Sequence, residues 1–227
     1  MPPPGPELHV PRRRRSEDQT CDIGHGYAQD VSDDGQSQRR DARRNRAALV
    51  AAAEVEFATD GPDVPLDAVV RRAGVGRGTL YRHFRGRVDL AAAVYEQHIS
   101  EHETYAVEHA DEPDLLFRLL YRMAAVQAST RGVMLVLARE PEGELQIERL
   151  VGRLRVLFEA ALERARTAGL VAPDVTIEDL MLVPALVEGA LVGDPLDRAA
   201  ARARRTVELI IPALRTGPAA APEPTEA

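Results

Sequence analysis

The sequence predicts an all-α protein, and three observations carry the prediction. Ala and Leu are abundant, while Trp is absent and aromatic residues make up only 4%. Apolar residues recur at three- and four-residue spacing through most of the chain, and no stretch of useful length alternates as a strand would. Gly and Pro gather at separated breaks, where they punctuate the helical pattern.

Bulk properties narrow the class further. At 227 residues there is room for one large or two small domains. No apolar run reaches the ~18 residues of a membrane span. The start, MPPPGPELHVPRRRR, lacks an apolar signal core, so a cytoplasmic location is expected. The single Cys21 permits no internal disulfide, as a reducing compartment would allow. All 29 basic residues are Arg, and the net charge is −7. That charge is unevenly spread. Residues 39–87 hold 11 Arg and 6 acids, net +5. Residues 1–38 come to net −3 and the rest of the chain to net −9. A small basic module is thus joined to an acidic body. Screening confines phosphate attraction to about 8–10 Å, so the module's local charge governs its partners.

In chain order, residues 1–38 lack periodicity and are expected to be disordered. Their basic run, Arg12 to Arg15, reads as a solvated cluster in preference to an arm on DNA. The first helix is expected at about 44–59, with Leu49, Val50, Ala53 and Phe57 inward. Arg43, Arg44 and Arg46 lie at its start, where the helix dipole alone would favour acids. Cations placed against that preference point to an anionic partner.

Leu66 to Phe84 reads as helix, glycine turn, helix. Val69, Val70 and Ala73 give the first helix its apolar side, and Gly74-Val75-Gly76 breaks it. At about 100° per residue, Leu80 and Phe84 of the second helix share one side and must face a core. Gly78 and Arg82 then point outward with Thr79 close by, while Tyr81 and His83 flank them. Two short helices around such a turn form a helix-turn-helix, whose second helix enters the DNA major groove. Arg is the commonest specific reader of guanine, and hydroxyls suit phosphates or base edges.

Ala73-Gly74-Val75, Gly78-Thr79-Leu80-Tyr81, Phe84 and Leu90, with Ala52-Ala53, Phe57 and Gly61 upstream, resemble the DNA-binding domain of the tetracycline-repressor (TetR) family. The resemblance covers about residues 43 to 95. Pro65 stands where the family usually has a Ser or Thr cap, Arg87 where it commonly has Lys, and Gly86 in place of a capping residue. The resemblance implies a three-helix DNA-binding domain at 39–87, then a helical effector-binding and dimerisation domain at 88–215; the tail at 216–227 reads as disordered from its own composition. DNA contacts are expected from Arg43, Arg44, Arg46, Arg77, Gly78, Thr79, Tyr81, Arg82, His83 and Arg87.

Beyond this module, a fourth helix is expected from Arg87 to His102 or further, and others at about 113–129, 131–139, 145–168, 176–191 and 196–214. Thr176 to Asp179 resembles a capping box, and Pro184 falls inside the helix that follows. The resemblance implies a dimer built from the last two long helices, with the helix at 145–168 as the competing choice; Leu182, Leu186, Val187 and Ala190 are candidates, against the rival reading of a helix buried within one subunit. It also implies a small-molecule effector, with Phe117, Tyr121, Met123, Met134 and Phe158 as candidate lining residues, though Met and aromatics at helical spacing more often form plain core.

The expected function is that of a homodimeric regulator on double-stranded DNA, a repressor released from a palindromic operator by an effector. A ligand-dependent activator is the alternative. No enzymatic activity, metal or cofactor is expected. His98-Ile99-Ser100-Glu101-His102 matches the short H-x-x-E-H zinc pattern, but no downstream carboxylate stands out to complete it, and a solvated helix end is the favoured reading.

Overall fold

The computed structural model describes residues 27–193 and 195–216. Among them are eight helices and no strand: α1 (Tyr27–Asp60), α2 (Leu66–Ala73), α3 (Arg77–His83), α4 (Arg87–Glu108), α5 (Leu115–Arg139), α6 (Pro141–Thr167), α7 (Ile177–Leu191) and α8 (Leu196–Thr216). No helix of the described residues is long and apolar enough to cross a membrane. Arg12 to Arg15, Cys21 and residues 217–227 lie outside them.

The chain divides into two units, Met1–Asp41 and Ala42–Ala227. In the first, residues 27 to 41 are helical, where no structure was expected before about residue 44, and residues 36 to 41 are exposed. The stretch holds no Pro and a single Gly, so nothing forces a break, yet it also lacks the apolar spacing that would reveal a helix.

The second unit carries two apolar clusters. One gathers Leu49, Phe57, Val69, Leu80 and Phe84 with Leu90 and Val94 of α4, Val133, Val136 and Leu137 of α5, and Leu150 of α6. The core of the helix-turn-helix region therefore runs past residue 87. The other lies in the body, where Leu116, Leu120, Phe158, Leu162, Leu180 and Val207 are among its members.

One helix, α5, occupies the span where two were expected. Ser129-Thr130-Arg131-Gly132 looks like a break, but Gly132 serves a contact. A Cβ there would lie 1.9 Å from the Phe57 carbonyl oxygen, so the missing side chain lets α5 meet the end of α1 backbone to backbone. Glu140, in extended conformation, both ends α5 and caps α6. Pro141 fits the first turn of α6, where its missing N–H has no intrahelical partner to lose. The capping box at α7 forms as its sequence implies: the Thr176 hydroxyl accepts from the Asp179 N–H, and the Thr176 N–H donates to Asp179 Oδ2 at 2.8 Å. The helix continues through Pro184, whose carbonyl accepts from Gln127 Nε2 at 2.8 Å.

Candidate nucleic-acid interface

The local folding of the α2–α3 region follows from its glycines and apolar spacing. Gly74 ends α2 at φ 67°, a left-handed conformation that disfavours residues with a Cβ, and its N–H returns to the end of α2. Gly76 opens α3 without a side-chain cap. Leu80 and Phe84 are 1% and 3% exposed, so one side of α3 is fixed to the core and the other is set outward.

That outward side carries Gly78, Tyr81 and Arg82, with Thr79 partly covered. Tyr81 is 61% exposed, so its ring and hydroxyl are open to a partner. A Cβ at Gly78 would meet nothing within 4 Å, so this is an open approach to the backbone. Arg82 lies along its own helix, with Nε donating to the Gly78 carbonyl at 3.2 Å and Nη2 to Thr79 Oγ1 at 3.0 Å. These are solvent-side bonds that a phosphate or base edge can replace at little cost.

The other expected contacts divide by position. Arg43 and Arg44 are exposed on α1. Arg46 sits over the Phe84 ring at 5.2 Å, with Glu96 at 4.0 Å. Arg77 is exposed and paired with Asp67 across the turn. His83 is half-buried beside Phe84. Arg87 departs from expectation. It is half-buried, donates to the Pro62 carbonyl and lies 5.7 Å over the Phe57 ring. It clamps the joint between α1 and α2, and the short link through Gly86 leaves its side chain directed there.

Arg46, Tyr81, Arg82 and His83 line one polar groove of about 500 Å³, together with Arg85, Gln146 and Arg149. Sequence reasoning missed these last three. Arg85 was legible as an exposed Arg next to α3, and its backbone N–H bonds Asp89 Oδ2 at 3.1 Å, stabilising the start of α4 that Gly86 leaves uncapped. Gln146 and Arg149 come from α6, and nothing local in the sequence signals their arrival. Asp89 and Glu96 also face the groove, so its positive character is concentrated toward α3.

In the body, the five candidate lining residues do not come together. Met123 and Met134 border a cavity of about 100 Å³. Phe117 and Phe158 are buried in the body core, and Tyr121 packs against it. The reason is axial distance: Phe117 and Met134 are seventeen positions apart on one helix, roughly 25 Å at 1.5 Å per residue. Of the four dimer candidates, Leu182 and Leu186 are 59% and 52% exposed and Ala190 is half-buried. Val187 is fully buried in the body core and corrects that expectation: it falls on the inward stripe with Leu180, Val183 and Leu191. Leu209 on α8, 62% exposed, was missed.

His98 and His102 take different roles. His98 Nε2 lies 3.1 Å from Glu54 Oε1 and its Nδ1 3.2 Å from Glu101 Oε2. The Glu54 bond, against some desolvation, holds the His98 pKa above its usual value, and the same bond lowers that of Glu54. Burial pushes the His102 pKa down to about 4, so its ring is neutral at pH 7. Among the described residues, no group of three or more His, Cys, Asp or Glu is placed to hold a metal ion.

A glycine-turned helix pair with a fixed inner face and a polar, Arg-bearing outer face defines the class: a helix-turn-helix protein. Residues 49–94 match the model for bacterial regulatory proteins of the tetR family. A crystal structure of a TetR transcription regulatory protein from Mycobacterium vanbaalenii superposes with a TM-score of 0.60 at 28% identity, covering 79% of this chain and 99% of that one. A TetR transcriptional regulator from Streptomyces coelicolor superposes at 0.57 and 24% identity, covering 76% and 99%. The HTH-type transcriptional regulator TtgW of Pseudomonas putida is 40% identical over 55 residues, which are 24% of this chain and 41% of that protein. A Staphylococcus aureus HTH-type regulator is 29% identical over 75 residues, 33% and 40% of the two chains. The match thus spans about two fifths of these curated relatives. Residues 49–94 thus carry a DNA-binding domain of the tetR-family type, and the chain as a whole is similar in fold to TetR regulators.

Proposed function

We propose that the protein is a homodimeric, sequence-specific transcriptional regulator: a repressor that binds a palindromic operator and is released by a small molecule. The observation that carries the reading is the two-sidedness of α3, with Leu80 and Phe84 buried while Gly78, Tyr81 and Arg82 stand exposed. A helix held this way can lie in a major groove without disturbing its own core. One such unit reads only a few base pairs, and two related by a two-fold axis read half-sites about one DNA turn apart. The exposed Leu182, Leu186 and Leu209 support pairing through α7 and α8, since a solvated monomer gains nothing from them. An effector acts by binding one spacing of the two recognition helices better than another.

The test is selection of purified protein on a random duplex-DNA pool, repeated with Arg82→Ala. The expected result is an inverted repeat whose half-site preference relaxes at one or two base pairs in the variant, a change of about 1–3 kcal/mol. Equal loss on random and selected DNA would reduce Arg82 to a phosphate contact. Failure of the folded wild-type dimer to enrich any sequence would overturn the reading.

A further inference from the structure

We infer that the cavity between α4, α5, α6 and α7 takes an uncharged, largely apolar small molecule that carries a hydroxyl or N–H donor. This rests on the effector-responsive reading above and names the ligand class. The walls are mostly apolar, with Ile99, Met123, Met134 and Leu150 among them. Two polar side chains also line the space, and both are more than nine-tenths buried: His102 at 4% and Gln127 at 8% exposure. Each keeps a polar atom without a partner, His102 Nδ1 and Gln127 Oε1. An orphaned buried acceptor costs the full loss of its hydration, so such groups are kept where something else completes them.

The partners already in place sharpen the choice. The Gln127 amide nitrogen donates to the Pro184 carbonyl, the side chain also bonds the half-buried Glu188, and its oxygen is left to accept. Tyr95 is engaged by Thr130, and His98 by Glu54 and Glu101. His102 is neutral at pH 7, so its ring can donate or accept at Nδ1 but offers no charge. No carboxylate and no Arg lines the cavity, and the one group that favours a positive charge, His98, is matched by two acids. An ionic ligand would therefore be stripped of water without compensation. A hydroxyl has one proton to give to Gln127 Oε1 and lone pairs to accept from His102 in its Nδ1–H tautomer. The space is about 100 Å³, smaller than the ~150 Å³ cavity that accommodates benzene elsewhere, but two of its walls are flexible Met side chains.

The experiment is calorimetric titration of the full-length protein with phenol, toluene, benzoate and benzylammonium. Phenol is expected to bind about tenfold or more tightly than toluene, the worth of one well-placed hydrogen bond to a buried acceptor, and neither ion is expected to give saturable heat. The variant H102L/Q127M should bring the phenol-to-toluene ratio close to one. Met134→Trp, which fills the cavity, should abolish phenol binding with helical content retained. Equal binding of toluene and phenol by the wild type, saturable binding of either ion, no saturable heat from any probe, or unchanged phenol binding by a folded Met134→Trp protein would each overturn the inference. The wild-type comparison stands even if a variant fails to fold. No operator enters the titration, so a failure to select DNA would count against the regulator reading alone.

Discussion

Gly132→Ala and Gly152→Ala are the same chemical change in two helix interiors, and the structure gives them opposite signs. At Gly152 on α6 a Cβ meets nothing within 4 Å, so Ala brings only its better helix propensity. That gain is about 0.5–1 kcal/mol. At Gly132 the added methyl lies 1.9 Å from the Phe57 carbonyl oxygen and 2.6 Å from its carbon. Both are backbone atoms and cannot rotate away, and α5 must retreat from α1 by an ångström or more. Overpacking costs about 1–3 kcal/mol and occasionally more, and a backbone obstacle belongs at the upper end. Set against a propensity gain of about 1 kcal/mol, the net is a destabilisation of about 2 kcal/mol. For a domain of this size, 1 kcal/mol moves Tm by about 2–4 °C. Gly132→Ala should therefore melt about 4–8 °C lower than wild type, and Gly152→Ala slightly higher. Differential scanning calorimetry of the three proteins measures this directly. The Phe57 carbonyl also receives the Gly61 N–H that ends α1, so affinity for the selected operator should fall in Gly132→Ala alone. If both variants melted alike, with operator affinity unchanged, the close α1–α5 approach would not be what the glycine serves.

Three further outcomes follow from the described contacts. Leu80→Ala removes a 1%-exposed side chain from beneath α3 and should cost about 2–5 kcal/mol by urea denaturation; an unchanged midpoint would refute the facing of that helix. The His98–Glu54 pair stabilises through both partners. The raised His98 pKa gives a contribution complete below its ordinary 6.5 and lost as pH climbs through the raised value; the lowered Glu54 pKa gives one present above 4.5 and lost as pH drops through the lowered value. Stability should thus be favoured between about pH 4.5 and 6.5 and decline by about 0.5–1 kcal/mol toward pH 9, and Glu54→Gln should flatten that decline in melts at pH 6 and pH 9. Leu182→Glu with Leu186→Glu should give a folded monomer in sedimentation equilibrium, whereas Val187→Glu, at a fully buried position, should unfold the subunit.

How much was legible depended on the range of the forces involved. The α2–α3 pair is specified by neighbours within a few residues: Gly74 supplies the left-handed cap, and Leu80 and Phe84 supply the inner side. Local chemistry of that kind is written in the sequence, as is the Thr176–Asp179 capping box. Gly132 could not be read correctly, because its role is a contact with Phe57 seventy-five positions away, and a glycine kept for close approach looks like a glycine that ends a helix. Arg87 was assigned to phosphate by its charge and place, yet the Pro62 carbonyl and Phe57 ring that hold it are tertiary neighbours. Residue type alone grouped Phe117 with Met134. The rise of α5 separates them, and the polar pair His102 and Gln127, which no motif marked as a pair, borders the cavity beside Met134.

The apolar cluster that begins at Leu49 and ends at Leu150 makes the chain hard to divide by grafting. A chimera cut after Arg87 would transplant α1 to α3 away from Leu90, Val94, Val133, Val136 and Leu137, the side chains against which Leu49, Phe57 and Leu80 close. Exchange of operator preference between relatives by swapping whole modules would leave mismatched surfaces on both sides of the seam. Changes confined to the outer side of α3, at Gly78, Tyr81 and Arg82, touch none of that cluster. Substitution can therefore run through these few outward positions while the seam behind them stays fixed.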